Sequence, residues 1–312
     1  MRKIVPALIA HGGAGARGVR IERPERRSAL IAAVRAGARI LRDGGGALDA
    51  VQAVVVELEN SPLFNAGTGS VLTTIGTVEM DASIMAMEPR ASGAPPRITA
   101  GAVAAVTRVK NPIVLARVVM EHTPHVMMAG PGAHRLARRF GIPLCANETL
   151  ITQRARERWI QRRNSAAIAG EHGTVGAVAI DSRGAIAAAT STGGVPGKIP
   201  GRVGDSAVIG AGTYVDAHGG ASATGHGESI ILSALCREAT TALASGRSPQ
   251  AAARDTIGRL LGPMHSEAGV IIVDRKGRVG FAHNAEMMQV ALYQSSAIRH
   301  FWADPVRPRD RQ

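Results

Sequence analysis

Several kinds of residue and pattern are scarce in this chain, and each scarcity excludes a class of protein. Only two cysteines occur, Cys145 and Cys236, so a disulfide framework is excluded and we expect a cytoplasmic protein. No apolar run approaches the ~20 residues that cross a bilayer, so we expect no membrane span. The short apolar stretch 4–10 predicts a buried first strand rather than an export signal. Aromatic residues make up only 3% of the chain, so its core must be built from alanine, valine, isoleucine and leucine.

Acidic residues are also few compared with basic ones. The chain has 24 Asp and Glu against 37 Lys and Arg, a formal charge of +13, which raises the question of a nucleic-acid partner. The arginines concentrate at 154–163 and 299–311, with almost no aromatic side chains between them to stack on bases. We therefore expect no specific nucleic-acid partner, only a solvated basic surface with weak attraction for polyanions.

Residues 173–180 are predicted to form a buried strand around which the chain is organised. This small apolar run lies between Gly173 and the turn 181–184. Residues 146–173 are polar and basic without a clear period, which predicts a flexible linker. A cut between Gly173 and Thr174 would give Thr174 a free α-amine, of reference pKa about 7.7–8.0, beside its own hydroxyl. On their own, residues 173–176 favour the simpler interpretation of an ordinary strand start.

Helical and strand patterns recur in both halves of the chain. In the first half, strands are predicted at 4–10, 71–74, 78–87, 102–109 and 125–129, and helices at 26–42, 47–58, 112–120 and 131–140. In the second half, the hairpins 175–190 and 271–283 flank a helix at 228–245 and another that starts at Ser248. This order favours an α+β fold with two antiparallel-rich sheets stacked between helix layers.

Seven short motifs occur in a fixed order. They are HGGAG at 11–15, PLFNAG at 62–67, MDASIM at 80–85, STGG at 191–194, GRVGDS at 201–206, GAGTY at 210–214 and TGHGE at 224–228. The ordered set resembles the plant-type L-asparaginase/isoaspartyl aminopeptidase family of N-terminal-nucleophile hydrolases, from about Ile4 to Tyr293. The resemblance implies one domain over residues 1–312, built as a four-layer αββα sandwich. It also implies cleavage into subunits 1–173 and 174–312, a homodimer of these cleaved heterodimers, and no organic cofactor.

The resemblance assigns catalytic roles to four residues. Thr174 is the nucleophile, with its own α-amine as base, and Thr192, eighteen residues on across a hairpin, supports it with a hydroxyl. The Thr224 hydroxyl and the Gly225 N–H form the oxyanion hole. Spacing alone favours a different interpretation of Thr192, as a turn residue.

Arg202 and Asp205 suit the two charged ends of a free amino acid. A planar guanidinium can hold an α-carboxylate and a carboxylate can hold an ammonium, while Gly225 and Gly227 allow the backbone to approach a ligand closely. The alternative is a surface ion pair worth about 0–1 kcal/mol. Within the ordered motif set, the substrate clamp is the favoured interpretation.

Proline and glycine at 58–69 predict an irregular loop. The resemblance implies that this loop holds a structural sodium ion, a hard cation that takes oxygen ligands. The ligands would be the backbone carbonyls of Leu58, Glu59, Ser61, Phe64, Ala66 and Thr68.

The resulting hypothesis is an enzyme that hydrolyses L-asparagine to L-aspartate and ammonia, or removes isoaspartyl residues from β-aspartyl dipeptides. Two features depart from the family pattern. His226 lies between two glycines, where a turn histidine facing solvent is favoured over one that crowds the site or alters its pH profile. The segment 195–200 is richer in proline than the family pattern, which would shift the range of substrates that fit. Three alternatives remain open. They are a glycosylasparaginase-like amidase, a threonine endopeptidase of the same fold, and an uncleaved, non-catalytic homologue that binds polyanions.

Overall fold

The computed structural model describes residues 4–15, 24–90, 94–164, 173–303 and 305–306. Within these residues, eight α-helices are seen: α1 (Pro24–Arg42), α2 (Ala47–Asn60), α3 (Pro112–His122), α4 (Gly130–Arg139), α5 (Gln153–Asn164), α6 (Gly227–Ser233), α7 (Leu235–Ala244) and α8 (Pro249–Thr256). The strands are β1 (Ala7–Gly15), β2 (Met80–Glu88), β3 (Arg97–Val106), β4 (Met127–Ala129), β5 (Val175–Ile180), β6 (Ile186–Thr192), β7 (Thr213–Val215), β8 (Gly219–Gly225), β9 (Ala268–Asp274), β10 (Val279–His283), β11 (Met287–Gln294) and β12 (Ala297–Trp302). Short 3₁₀ turns at Asn147–Leu150 and Asp205–Ala207 and a π turn at Ile257–Leu261 complete the elements. The α+β class is confirmed.

Two sheets carry the fold. The larger has the order β12-β11-β1-β5-β6-β2-β3-β4, and the smaller has the order β10-β9-β8-β7. All pairs are antiparallel except β3 with β4. The strand that begins one residue after Thr174, β5, lies in the middle of the larger sheet, between β1 and β6. The start of this strand is therefore held from both sides.

Hydrophobic residues are buried in three zones. Helices α1, α2 and α3 cover one face of the larger sheet, and α7 and α8 pack on the smaller sheet. The third zone lies between the two sheets and includes Ile9, Val178 and Ile271. Alternate residues of β1 point in opposite directions, so Leu8 packs towards the helices and Ile9 towards the second sheet.

The hairpins predicted around β5–β6 and β9–β10 are confirmed, and Ser248 caps α8 by accepting a hydrogen bond from Ala251 N. Other boundaries were wrong. The predicted strand 71–74 forms only a bridge between Leu72 and Val78, and the predicted strand 125–129 is reduced to β4. The predicted helix 228–245 is interrupted at Ala234, whose φ of 48° lies in the left-handed region.

The prediction of a flexible linker over 146–173 was wrong for its first part. Residues 147–150 form the 3₁₀ turn and residues 153–164 form α5. The helix is anchored by tertiary contacts, because Ala155 is buried and Trp159 Nε1 donates to the Thr73 carbonyl at 2.9 Å. Its arginine-rich sequence has no apolar stripe that could have indicated this anchoring. Residues 165–172 lie outside the described part of the chain.

Among the described residues, no helix combines the length and the apolar character that crossing a bilayer requires.

Substituting Leu30 tests the hydrophobic core between α1 and the larger sheet. Leu30 is fully buried, so Leu30→Ala is expected to lower the free energy of unfolding by about 2–5 kcal/mol. Leu232 is 80% exposed and serves as the matched control, for which Leu232→Ala is expected to change stability by less than ~0.5 kcal/mol. Chemical denaturation of both variants measures the difference, and equal losses would contradict the assignment of this core.

Candidate active site

Thr174 and Thr192 meet at the head of the β5–β6 hairpin. Val175 pairs with Ser191, so the two threonines lie side by side at the next position along the strands. Thr174 is 4% exposed, and its Oγ1 donates to Thr192 Oγ1 at 3.2 Å. Thr192 Oγ1 also accepts from Gly194 N at 3.0 Å. The structure thus brings together the two threonines that were predicted to act as a pair.

Thr224 and Gly225 end β8 in the second sheet. Thr224 Oγ1 accepts a hydrogen bond from Ala14 N at 3.2 Å, which leaves its own proton free to be donated. Gly225 has a φ of 143°, and a Cβ there would lie 2.4 Å from the Glu267 carbonyl oxygen. Only glycine fits this position, in agreement with the sequence.

Arg202 and Asp205 both lie beside Gly227. An added Cβ on Gly227 would lie 2.8 Å from Arg202 Nη2 and 3.0 Å from Asp205 Oδ1, so the missing side chain is what keeps this space open. Arg202 Nε and Nη2 donate to the Glu228 carboxylate at 2.9 and 2.8 Å. Both residues lie within the motifs found in the sequence, GRVGDS and TGHGE, but the sequence did not indicate that they pair.

Asp205 is an unusual carboxylate because it is buried and only partly paired. It is 3% exposed, and within the described chain its Oδ2 has no hydrogen-bond partner. Burial raises the pKa of Asp205 to about 7, although the nearby Arg202 charge acts in the opposite direction. An unsatisfied, buried carboxylate oxygen at an open site is suited to receive a cationic group.

Comparison with known proteins decides the family. The asparaginase profile matches residues 4–303. The chain is 41% identical over 307 residues to a human isoaspartyl peptidase/L-asparaginase, covering 96% of each chain. It is 43% identical over 279 residues to the bovine protein of the same name, covering 87% of this chain and 88% of that one. It is also 43% identical over 310 residues to a plant-type L-asparaginase of Pyrococcus furiosus, covering 91% of this chain and 95% of that one.

The chain belongs to the asparaginase family. The resemblance inferred from the seven ordered motifs is confirmed.

Asn65 is a site residue of this asparaginase-family chain that sequence reasoning missed. Its side-chain Nδ2 donates to the Gly194 carbonyl at 2.7 Å, and its backbone carbonyl accepts from Gly193 N at 2.9 Å. Its Cβ would lie 2.7 Å from a Cβ added to Gly173. Asn65 therefore fixes the turn after Thr192 and packs against the residue before Thr174. The PLFNAG motif contained the signal, but was interpreted only as part of an ion-binding loop.

His11 is a second missed residue, and it contacts Thr174 from the other side. Its Nδ1 lies 3.1 Å from the Thr174 carbonyl oxygen and its Nε2 lies 3.0 Å from Ser222 Oγ. Because a carbonyl can only accept, Nδ1 carries the proton and the Ser222 hydroxyl donates to Nε2. A Cβ on Gly176 would lie 2.0 Å from Ser222 Oγ, so the glycine after Val175 makes room for this contact.

The loop predicted to bind sodium is anchored under the same hairpin. The Glu59 carboxylate is buried, and its Oε1 accepts from Ser191 Oγ at 2.6 Å and Ile113 N at 3.1 Å. Burial raises the pKa of Glu59 to about 8. The Glu59 carbonyl already accepts from Thr68 N at 2.8 Å. Among the described residues, no group of three or more His, Cys, Asp or Glu side chains could hold a metal, so an ion in this loop would depend on carbonyl oxygens.

His11 should make the protein less stable in acid. Burial lowers the pKa of His11 from its ordinary 6.5 to about 3, so the unfolded chain binds a proton more readily than the folded one between these values. Stability is therefore lost as pH falls from about 6.5 towards 3, by up to about 1.4 kcal/mol per pH unit. His11→Asn, which keeps a donor near the Nδ1 position, is expected to flatten this dependence.

Urea denaturation at pH 7, 6 and 5 measures the free energy of unfolding. The proteins compared are either all cut between Gly173 and Thr174 or all uncut. His218→Asn, at a half-exposed turn histidine, is the control and should keep the wild-type slope. An unchanged slope in His11→Asn would contradict the neutral, buried histidine.

Proposed function

We propose that the chain is a self-processing threonine amidohydrolase that acts on L-asparagine and on β-aspartyl dipeptides. The observation that carries the proposal is the buried contact between the Thr174 and Thr192 hydroxyls at the head of a central strand. The relatives named isoaspartyl peptidase/L-asparaginase support the choice of substrates.

The first proposed reaction is the cut between Gly173 and Thr174. Thr174 Oγ1 attacks the Gly173 carbonyl carbon, and the acyl group passes from the Thr174 nitrogen to its oxygen. Water then hydrolyses this ester, leaving a carboxylate on Gly173 and a free amine on Thr174. The products are the chains 1–173 and 174–312. The contact of Thr192 with Thr174 and the packing of Asn65 against Gly173 support this reaction, because they hold the two ends of the bond that breaks.

In the mature enzyme, the Thr174 amine accepts the proton of its own hydroxyl. Its reference pKa of about 7.7–8.0 suits a base near neutral pH. The oxygen attacks the side-chain amide carbon of L-asparagine, and the negative charge on the carbonyl oxygen is held by the Thr224 hydroxyl and the Gly225 N–H. The Thr174 ammonium gives its proton to the amide nitrogen, which leaves as ammonia, and water then hydrolyses the acyl-enzyme to L-aspartate. A β-aspartyl dipeptide follows the same course, with an amino acid as the leaving group.

The ends of the substrate are bound by Arg202 and Asp205. The guanidinium receives the α-carboxylate and the Asp205 carboxylate receives the α-ammonium, in the space left by Gly227. The pairing with Glu228 uses the Nε edge of Arg202 and leaves Nη1 for the ligand. The orphaned Asp205 Oδ2 supports its proposed role as the ammonium acceptor.

Five finer features belong to the same proposal. We propose a single domain with the four-layer αββα arrangement, supported by helices on each sheet and a hydrophobic zone between the sheets. Two cleaved heterodimers would form a dimer, and a cytoplasmic location follows from the low cysteine content.

No organic cofactor is needed, because one residue supplies nucleophile and base. A sodium ion would be held by the carbonyls of residues 58–68, and an uncharged oxygen set of this kind suits a hard, singly charged cation.

Thr174→Ala is the direct test. The variant should remain one chain and lose asparaginase activity by at least ~10³-fold, because both nucleophile and base are removed. Intact mass spectrometry after incubation follows the cut, and aspartate release from L-asparagine and β-aspartyl-leucine follows the activity. Thr241→Ala, at an exposed helical threonine, is the control and should be cleaved and active. A wild-type chain that never yields a fragment starting at Thr174 would overturn the proposal.

From the raised pKa of Asp205, we expect ligand binding to depend on pH. Because its pKa is raised to about 7 by burial, the carboxyl is protonated below this pH and must lose a proton to bind an ammonium. The inhibition constant of L-aspartate is therefore expected to rise about tenfold per pH unit below pH 7, the effect of one proton. Succinate, which lacks the ammonium, is the matched control ligand. If both ligands show the same acid limb, Asp205 does not receive the ammonium.

A further inference from the structure

Lys198 is an almost fully buried lysine between the two parts of the proposed active site. It lies in the loop that joins Thr192 to Arg202, is 3% exposed, and donates from Nζ to the Glu79 carbonyl at 2.9 Å. A lysine that is withdrawn from water needs a compensating charge. Burial lowers the pKa of Lys198, and the negative charges of Asp81 and Glu79 oppose that shift.

Asp81 is a buried carboxylate whose charge acts on this lysine, and it accepts a hydrogen bond from the backbone next to the clamp. Its carboxylate is fully buried, with Oδ1 accepting from Ala105 N and Oδ2 accepting from Gly204 N, both at 2.9 Å. Gly204 lies between Arg202 and Asp205. Asp81 also pairs with Thr192 across β2 and β6. One carboxylate therefore contacts the clamp segment and adjoins the threonine that supports the nucleophile.

The aliphatic stem of Lys198 covers the turn after Thr192. A Cβ added to Gly194 would lie 2.8 Å from Lys198 Cδ and 2.9 Å from its Nζ. Gly194 in turn donates to Thr192 Oγ1 and accepts from Asn65 Nδ2. The stem and the ammonium of this lysine thus both lie against Gly194, and the ammonium also donates to the Glu79 carbonyl.

We infer that Lys198 is a positioning residue of the proposed amidohydrolase, acting on the clamp through its charge and on Thr192 through its stem. The inference rests on the proposed function of the same site. Burial raises the pKa of Asp81, and the positive charge of Lys198 opposes that shift. The ammonium therefore favours the ionised carboxylate, both of whose oxygens accept from backbone N–H groups. Without the ammonium, Asp81 either takes up a proton, which weakens one of these contacts, or attracts Arg202 away from the substrate carboxylate.

Substitutions that separate charge from stem test the inference. Lys198→Met keeps a stem of similar length and removes the charge, so KM for L-asparagine is expected to rise at least tenfold while kcat stays within threefold. Lys198→Ala removes the stem as well, so kcat is also expected to fall at least tenfold. Lys198→Gln keeps a donor without the charge and should behave like Lys198→Met. The exposed Lys276 provides the control Lys276→Met, which should match the wild type.

A double variant tests whether Lys198 acts through Asp81. If it does, Lys198→Met combined with Asp81→Asn loses no more in kcat/KM than the worse single variant, because neither charge is left alone. Losses that multiply would overturn the inference, as would a folded and processed Lys198→Met with unchanged KM.

Rates are normalised to the amount of fragment starting at Thr174, and melting temperatures report folding. Lys198→Gln replaces Lys198→Met if the latter does not fold. The proposed function is tested separately by the wild type: if it is neither cleaved nor active the function fails, whereas an active wild type with an unaffected Lys198→Met rejects only the role of Lys198.

Discussion

The pairing of β5 with its two neighbours determines where the other groups of the site can lie. On one side, β6 brings the Thr192 hydroxyl to the Thr174 hydroxyl. On the other side, β1 places His11 opposite Gly176, from where its ring reaches the Thr174 carbonyl. A residue held by hydrogen-bonded strands on both flanks loses little further freedom when it reacts, because folding has already restricted its conformation.

The scarcity of aromatic residues has a structural counterpart between the sheets. The sheets approach so closely that a Cβ on Gly220 would lie 3.0 Å from Val178 Cγ1. Small serine and threonine side chains occupy part of the space between the sheets, and their hydroxyl groups form a chain of hydrogen bonds. Ser222 contacts Thr190 at 2.7 Å, Thr213 donates to Thr190, and Ser83 donates to the Ser206 carbonyl at 2.6 Å. This network links β6, the strand that ends at Thr192, to Ser206, the residue after Asp205, so a chain of buried hydrogen bonds connects the nucleophile to the clamp.

The sequence was informative wherever a contact followed from local pattern. The β5–β6 hairpin was predictable from its apolar runs and its turn, and with it the approach of Thr192 to Thr174. Motif order identified the family. Helix α5 was not predictable, because tertiary anchoring through Trp159 replaces the apolar stripe on which periodicity depends. Long-range polar pairs such as Arg202 with Glu228 also leave no local pattern, although both residues lie within identified motifs.

The charges of Arg202 and Asp205 explain how a proposed site of this kind would discriminate between ligands. The charge of Arg202 is partly compensated by Glu228, whereas burial raises the pKa of Asp205 to about 7. A free amino acid supplies both missing partners at once, a carboxylate for the guanidinium and an ammonium that stabilises ionised Asp205. A ligand whose α-nitrogen is acylated supplies no positive charge, so Asp205 must stay protonated or be buried as a lone anion. In the proposed site, the burial of one carboxylate would therefore be enough to favour an unblocked amino end, without a steric barrier.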